Sequence, residues 1–139
     1  MARFKQVNLA VHKMDETLDF YRRLGIDIPD DKVWRTHSGA HHASDATGGL
    51  EFDSHKLSKL YNEGFAAERG RVTIGVELDS REAVDVLWTQ LLEGGVQGLQ
   101  PPFDAPWGER FAIVEDPDGN PVAIASPVDP SMRGAPYDI

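Results

Sequence analysis

The chain has no cysteine, which excludes disulfides, thiolate catalysis and every cysteine-based zinc site. No apolar run approaches the roughly 18 residues of a membrane span. The opening Met1-Ala2-Arg3-Phe4-Lys5-Gln6 leads straight into a strand pattern without the apolar core of a signal peptide, so a cytoplasmic protein is expected. Basic residues are in deficit, with 14 Lys and Arg against 23 Asp and Glu and a net charge of −9. Without a dense basic cluster to meet phosphates, neither nucleic acid nor membrane is an expected partner. A negative field favours neutral or cationic small molecules over phosphorylated ones. The same acidity also serves solubility.

What is present describes one ordinary globular domain. Its 139 residues are 40% hydrophobic and 27% charged, enough to bury a real core. Val7 to Val11 alternates as a strand, with Val7, Leu9 and Val11 on one face and Gln6, Asn8 and Ala10 on the other. A helix over Met14 to Leu24 follows, striped by Met14, Leu18, Tyr21 and Leu24 and stopped by Gly25. The second half repeats the plan. Val72 to Val76 reads as a strand and Arg81 to Leu92 as a helix, with Asp79 and Glu82 at capping-box spacing. Val84, Leu87, Trp88, Leu91 and Leu92 line one face of that helix before Gly94-Gly95, so Trp88 is expected in the core.

Three shorter strand-like pieces follow each helix. They fall near Val33 to Thr36, Ala40 to Ser44 and Gly49 to Asp53, and near Gly98 to Pro101, Arg110 to Glu115 and Pro121 to Ser126. The last two are joined by Asp116-Pro117-Asp118-Gly119, in which proline presets φ and glycine takes the positive value that follows. The fold class is therefore α+β: two βαβββ modules, about 4–53 and 71–127, forming a curved mixed sheet around a cleft. A linker over 54–70 holds a short helix near Lys56 to Asn62, and the tail 128–139 reads as irregular. The positions facing away from the helices, Gln6, Asn8, Glu51, Thr73, Gly75, Ala123 and Ala125, are small or polar. That is the pattern of a cavity wall.

Four stretches carry a resemblance: Val7-Asn8-Leu9-Ala10-Val11, Leu18-Asp19-Phe20-Tyr21-Arg22-Arg23-Leu24-Gly25, Leu50-Glu51-Phe52, and Val114-Glu115-Asp116-Pro117-Asp118-Gly119-Asn120-Pro121. In this order they resemble a single-module member of the vicinal oxygen chelate superfamily, which includes glyoxalases, ring-cleaving dioxygenases and bleomycin-resistance proteins. The resemblance implies paired βαβββ units and a homodimer. In metal-dependent members it also implies four side chains around one divalent ion, of the types His or Gln, Glu, His and Glu. Those positions fall here on Gln6, on Glu51, near Arg71 to Thr73, and on Ala123. Half of that shell is missing, whereas a catalytic zinc typically keeps three protein ligands. No metal cofactor is therefore expected. The alternative is a zinc, nickel, manganese or iron ion displaced toward His37, His41 or His42 with Glu51, although no diagnostic spacing such as H-x-x-x-H supports it. Alternation lets only one of His41 and His42 face the cavity.

Two readings of function result. Phe103-Asp104-Ala105-Pro106-Trp107-Gly108 resembles the Pro-Trp-Gly stretch of bleomycin-resistance proteins. That likeness implies a metal-independent protein sequestering an aromatic or cationic small molecule at a dimer-interface cleft. Its wall would comprise Gln6, Asn8, Trp34, His42, Glu51, Phe103 and Trp107, with the rings stacking on a flat ligand. Trp107 serves equally well as a packing or dimer residue. The alternative is a glyoxalase- or dioxygenase-like enzyme using the displaced metal, or Glu51 as a general base with a raised pKa. Glu51 can also be simply a carboxylate hydrogen-bonded to Gln6 or a histidine.

Overall fold

The computed structural model describes residues 1–23, 26–68, 72–115 and 120–139, the side chains of Phe20 and Arg23 excepted. The Asp116-Pro117-Asp118-Gly119 turn, Leu24-Gly25 and Arg71 lie outside the described residues.

The elements run β1 (Arg3–Val11), α1 (Met14–Arg23), β2 (Val33–Thr36), β3 (Gly39–Ser44), β4 (Leu50–Ser54), α2 (His55–Tyr61), β5 (Val72–Glu77), α3 (Arg81–Glu93), β6 (Gly98–Asp104), β7 (Arg110–Glu115) and β8 (Pro121–Ala125). Short 3₁₀ turns at Asp30–Lys32 and Pro130–Met132 complete them. The eight strands form one mixed, open sheet in the order β2-β3-β4-β1-β5-β8-β7-β6. The two halves meet at its centre, where β1 and β5 run antiparallel with Gln6 opposite Gly75 and Asn8 opposite Thr73. On the other side β1 runs parallel to β4, with Asn8 opposite Glu51. Cross-strand partners share a face, so these pairings line Gln6, Asn8, Glu51, Thr73 and Gly75 along one surface.

The opposite, convex surface carries α1 and α3. Met14 and Leu18 of α1 pack on Ala43, Phe52, Leu9 and Val11, with the Tyr21 ring 5.3 Å from that of Phe52. Each fully buried Phe or Leu there contributes about 2–3 kcal/mol. Val84 of α3 packs with Leu78, Ala112 and Ile124, and Trp88 closes over that cluster. The N-cap of α3 is Ser80, whose hydroxyl accepts from the Ala83 amide at 3.1 Å. The predicted cap, Asp79, instead takes hydrogen bonds from the N-terminal amine and, at 2.7 Å, from Arg3. Those partners lower its pKa to about 2. A serine adjacent to an aspartate offers two caps, and the ion pair settles which one is used.

One expectation about the concave surface fails. It is not all cavity wall. Helix α2 starts directly after β4, capped by Ser54, and its Leu57 and Tyr61 lie on Phe111, Ile113, Ala123 and Ala125. Phe103, Trp107, Tyr137 and Ile139 pack against the same cluster. The small residues of β8 thus leave room for α2 and the tail, and the second-module half of the face is a dry core. The tail follows the Pro106–Gly108 loop: Gly134 donates to Pro106 (3.0 Å), and Arg133 Nε donates to the Trp107 carbonyl (3.3 Å).

Candidate functional site

The polar half of the concave surface lies over β1, β3 and β4. Alternation along Leu50–Ser54 sends Glu51 and Asp53 to the same side. In β3, His42 stands opposite Asp53, and in β2 Trp34 stands opposite His42. Three adjacent strands therefore present a carboxylate, an imidazole and an indole side by side. An open cleft of about 450 Å³ is lined by Asp31, Lys32, Val33, Trp34, His42, Ser44 and Glu51.

Behind the cleft sits a buried hydrogen-bonded network centred on Asp53, which is only 2% exposed. Its Oδ2 accepts from Tyr61 Oη and from Asn8 Nδ2, both at 2.8 Å. Its Oδ1 meets His42 Nδ1 at 2.6 Å. Asn8 in turn accepts from Gln6 Nε2 at 2.8 Å. The network runs from β1 through β4 to β3 and α2, so both oxygens of the buried Asp53 carboxylate are paired. Burial and the neighbouring Asp53 hold the Tyr61 phenol well above its ordinary pKa, and it remains a donor.

The groups facing the cleft are perturbed. Burial drives the Glu51 carboxyl up to about 7; Asp53 and Glu109 add to the shift, while His42 and Lys5 oppose it. Lys5 is itself paired with Glu109 at 2.5 Å. For His42, burial pulls the pKa down, but the hydrogen bond and charge of Asp53 outweigh it, with Glu51 adding, and the net shift is upward. His42 Nε2 lies 3.7 Å from Glu51 Oε2, so a buried carboxylate on one side orients the imidazole toward a second carboxylate. His41 does not line the cleft: its ring lies 5.7 Å from that of Trp34 and bonds Ser54 Oγ at 2.8 Å and Ser38 Oγ at 2.7 Å, and burial lowers its pKa.

The structure brings Trp34, His42 and Glu51 into one cleft, with Asn8 and Gln6 one bond behind it. It does not bring Phe103 and Trp107 there. The Trp107 ring packs edge-on against Tyr61 (6.1 Å), Phe111 (5.2 Å) and Tyr137 (6.5 Å), and its Nε1 donates to Glu109 at 2.6 Å. The sequence reading missed Asp53 and Tyr61. The alternation that turned Glu51 inward applies equally to Asp53 two residues on, and it was available.

The strand pairing also tests the divalent ion that the resemblance implies. Of the two described residues at the third position, Thr73 shares the face of Asn8 and Val72 does not. The four positions are thus an amide already bonded to Asn8, a carboxylate, a hydroxyl and a methyl: Gln6, Glu51, Thr73 and Ala123. That donor set does not fit a catalytic divalent ion. Among the described residues there is no group of three or more His, Asp or Glu arranged to hold a metal. Nor is any helix among them long and apolar enough to cross a membrane.

Comparison with known proteins places this geometry. The family model of the Glyoxalase/Bleomycin resistance protein/Dioxygenase superfamily matches residues 3–124. In structure the chain is similar to an NAD-dependent benzaldehyde dehydrogenase from Legionella pneumophila, at 20% identity and a TM-score of 0.58 over 88% of this chain and 97% of that one. It is also similar to the 2,3-dioxygenase LapB from Pseudomonas sp. KL28, at 13% identity and a TM-score of 0.64, covering 91% of this chain and 43% of that one. A third likeness is to homoprotocatechuate 2,3-dioxygenase from Brevibacterium fuscum, with a TM-score of 0.64 and 9% identity over 91% of this chain and 38% of the enzyme. The chain spans less than half of either dioxygenase. At such identities these likenesses establish the fold alone. Among curated proteins none matches in sequence.

Proposed function

The chain belongs to the Glyoxalase/Bleomycin resistance protein/Dioxygenase superfamily, and from that premise we propose that it is a metal-independent small-molecule-binding protein. It takes an aromatic, cationic compound in the cleft between Trp34, His42 and Glu51. One observation carries this reading: an indole stands beside a carboxylate and an oriented imidazole in an open cleft of about 450 Å³. An aromatic wall beside two carboxylates, Asp31 and Glu51, suits a flat positive ligand. The donor set at Gln6, Glu51, Thr73 and Ala123 supports the metal-independent part. The working form in this reading is a homodimer whose second copy completes the cleft, since β2, which contributes Val33 and Trp34, is an edge strand of the sheet.

The test is a tryptophan-fluorescence titration with flat aromatic cations, repeated with Trp34→Phe. Saturable quenching that disappears in the variant supports the reading; metal-switched turnover without such binding refutes it. Sedimentation at rising concentration decides the dimer.

A second reading, a glyoxalase- or dioxygenase-like enzyme with Glu51 as general base, is favoured by one feature. The Glu51 carboxyl, at about 7, is poised for proton transfer near neutral pH. That reading requires a turnover that Glu51→Gln abolishes.

A further inference from the structure

Resting on the cleft reading above, the geometry points to the group this cleft selects: a planar cation presenting two N–H donors side by side, of the amidinium or aminopyridinium class. The inference starts from Asp53. Its two oxygens are met by Tyr61 Oη, Asn8 Nδ2 and His42 Nδ1. The first two are donors, and a carboxylate receiving them takes a third donor from the imidazole. The proton of a neutral His42 therefore sits on Nδ1, and that ring offers Nε2 as an acceptor; its raised pKa places this form on the alkaline side of the ordinary imidazole range.

Nε2 faces Glu51 Oε2 at 3.7 Å. Two acceptors at that spacing, both lining the cleft, have nothing to receive from each other when Glu51 is ionised and His42 is neutral. The neighbouring donors are committed elsewhere. Lys5 and the Trp107 indole N–H go to Glu109, and the Ser44 hydroxyl donates to the Asp45 carbonyl. Lys32 lines the mouth but forms no ion pair with Glu51 among the described residues. A quaternary ammonium supplies charge to Glu51 and leaves Nε2 unmet. A planar fork of N–H groups meets both acceptors at once, and its plane is the shape that a stacked indole accepts. Trp34, the cross-strand partner of His42, supplies that indole.

The experiment compares two probes that are both cationic near pH 9 on the full chain at that pH, with nitrogen-15 shifts establishing that the His42 ring, whose pKa is raised, is neutral there. Benzamidine carries the fork; phenyltrimethylammonium carries the ring and charge without any N–H. Benzamidine is expected to bind at least about tenfold more tightly. His42→Phe should erase that preference while keeping an aromatic surface. Nitrogen-15 spectra of the unaltered protein provide a readout that does not depend on any variant folding. They should show His42 protonated on Nδ1, with the Nε2 resonance moving when benzamidine is added. Equal affinity for the two probes, or a proton found on Nε2, overturns the inference and leaves the cation reading standing. Binding of neither probe overturns both.

Discussion

Tyr61→Phe removes one oxygen and leaves a ring that still packs edge-on against Trp107 and Phe111, at 6.1 and 5.8 Å. What is lost is the 2.8 Å bond to Asp53 Oδ2, in a place where water does not replace it, because Asp53 is 2% exposed. Hydrogen bonds to charged groups contribute about 1.5–3 kcal/mol. Asn8 and His42 still hold the carboxylate, so the middle of that range, about 2 kcal/mol, is expected. Unfolding entropy near 2.1 cal/mol/K per residue makes 1 kcal/mol worth roughly 3–4 °C in a chain of this size, and Tm should fall by about 7 °C. The control is Tyr137→Phe. Its half-buried phenol has a pKa raised by burial alone, and its loss should cost under about 0.5 kcal/mol. Urea titrations of both variants measure the difference. If Tyr61→Phe costs no more than Tyr137→Phe, Asp53 is not held as described, and the fixed orientation of His42 goes with it.

Further tests address the pH response, the tail and the metal. The Glu51 carboxyl titrates near 7 in the fold against an ordinary 4.5, so between those values the folded chain holds a proton that the unfolded chain has lost. Stability therefore falls as pH rises through that window and levels off above it. Glu51→Gln removes this loss and should gain on the parent protein by roughly 3 kcal/mol between pH 4 and 8 in urea titrations; a pH-independent difference refutes the assignment. Gly108 has φ of 101°, and a Cβ there would lie 2.6 Å from the Asp129 carbonyl oxygen. Gly108→Ala should cost about 2–3 kcal/mol and speed amide exchange at Gly134; unchanged exchange there means that this contact does not anchor the tail. Replacing both Tyr137 and Ile139 with alanine should uncover the apolar half of the concave face, read as increased fluorescence of a hydrophobic dye, and no increase would mean that the tail is not its cover. Chelator should leave Tm unchanged. A bound ion at a hundredfold excess over its Kd would raise Tm by about 9 °C, so a rise of that size with zinc, nickel, manganese or iron defeats the metal-independent reading.

The fold was legible because its periodicities are strong and duplicated. The strand Arg110–Glu115 appears with the bounds its apolar run suggests, and the helix Arg81–Glu93 ends one residue beyond the predicted limit. β1 starts at Arg3, earlier than its alternation indicates, because the register shift between Phe4 and Gln6 breaks the period that a pattern search follows. The two 3₁₀ turns escaped notice because three residues carry no periodicity.

The site was legible only where alternation applied. Trp34, His42 and Glu51 share one face because Trp34 pairs with His42 and His42 with Asp53, and the β2–β3 register shifts only after Trp34, at His41. Phe103 and the choice left open at Trp107 were not legible for a different reason: their surroundings depend on where α2 and the tail pack, a tertiary choice that no local pattern encodes. The same choice put Tyr61 over Asp53. Seven residues of α2 thus do two things together. They fill the half of the concave face that the alanines of β8 leave open, and they deliver the phenol that helps fix His42. Packing of the apolar half and orientation of the polar half are therefore coupled through one helix. Shortening Leu57 to alanine should loosen Tyr61, which packs in the same cluster, and broaden the His42 ring resonances, although the aliphatic Leu57 side chain makes no hydrogen bond in the network. Sharp, unshifted resonances in that variant would show the two halves to be independent.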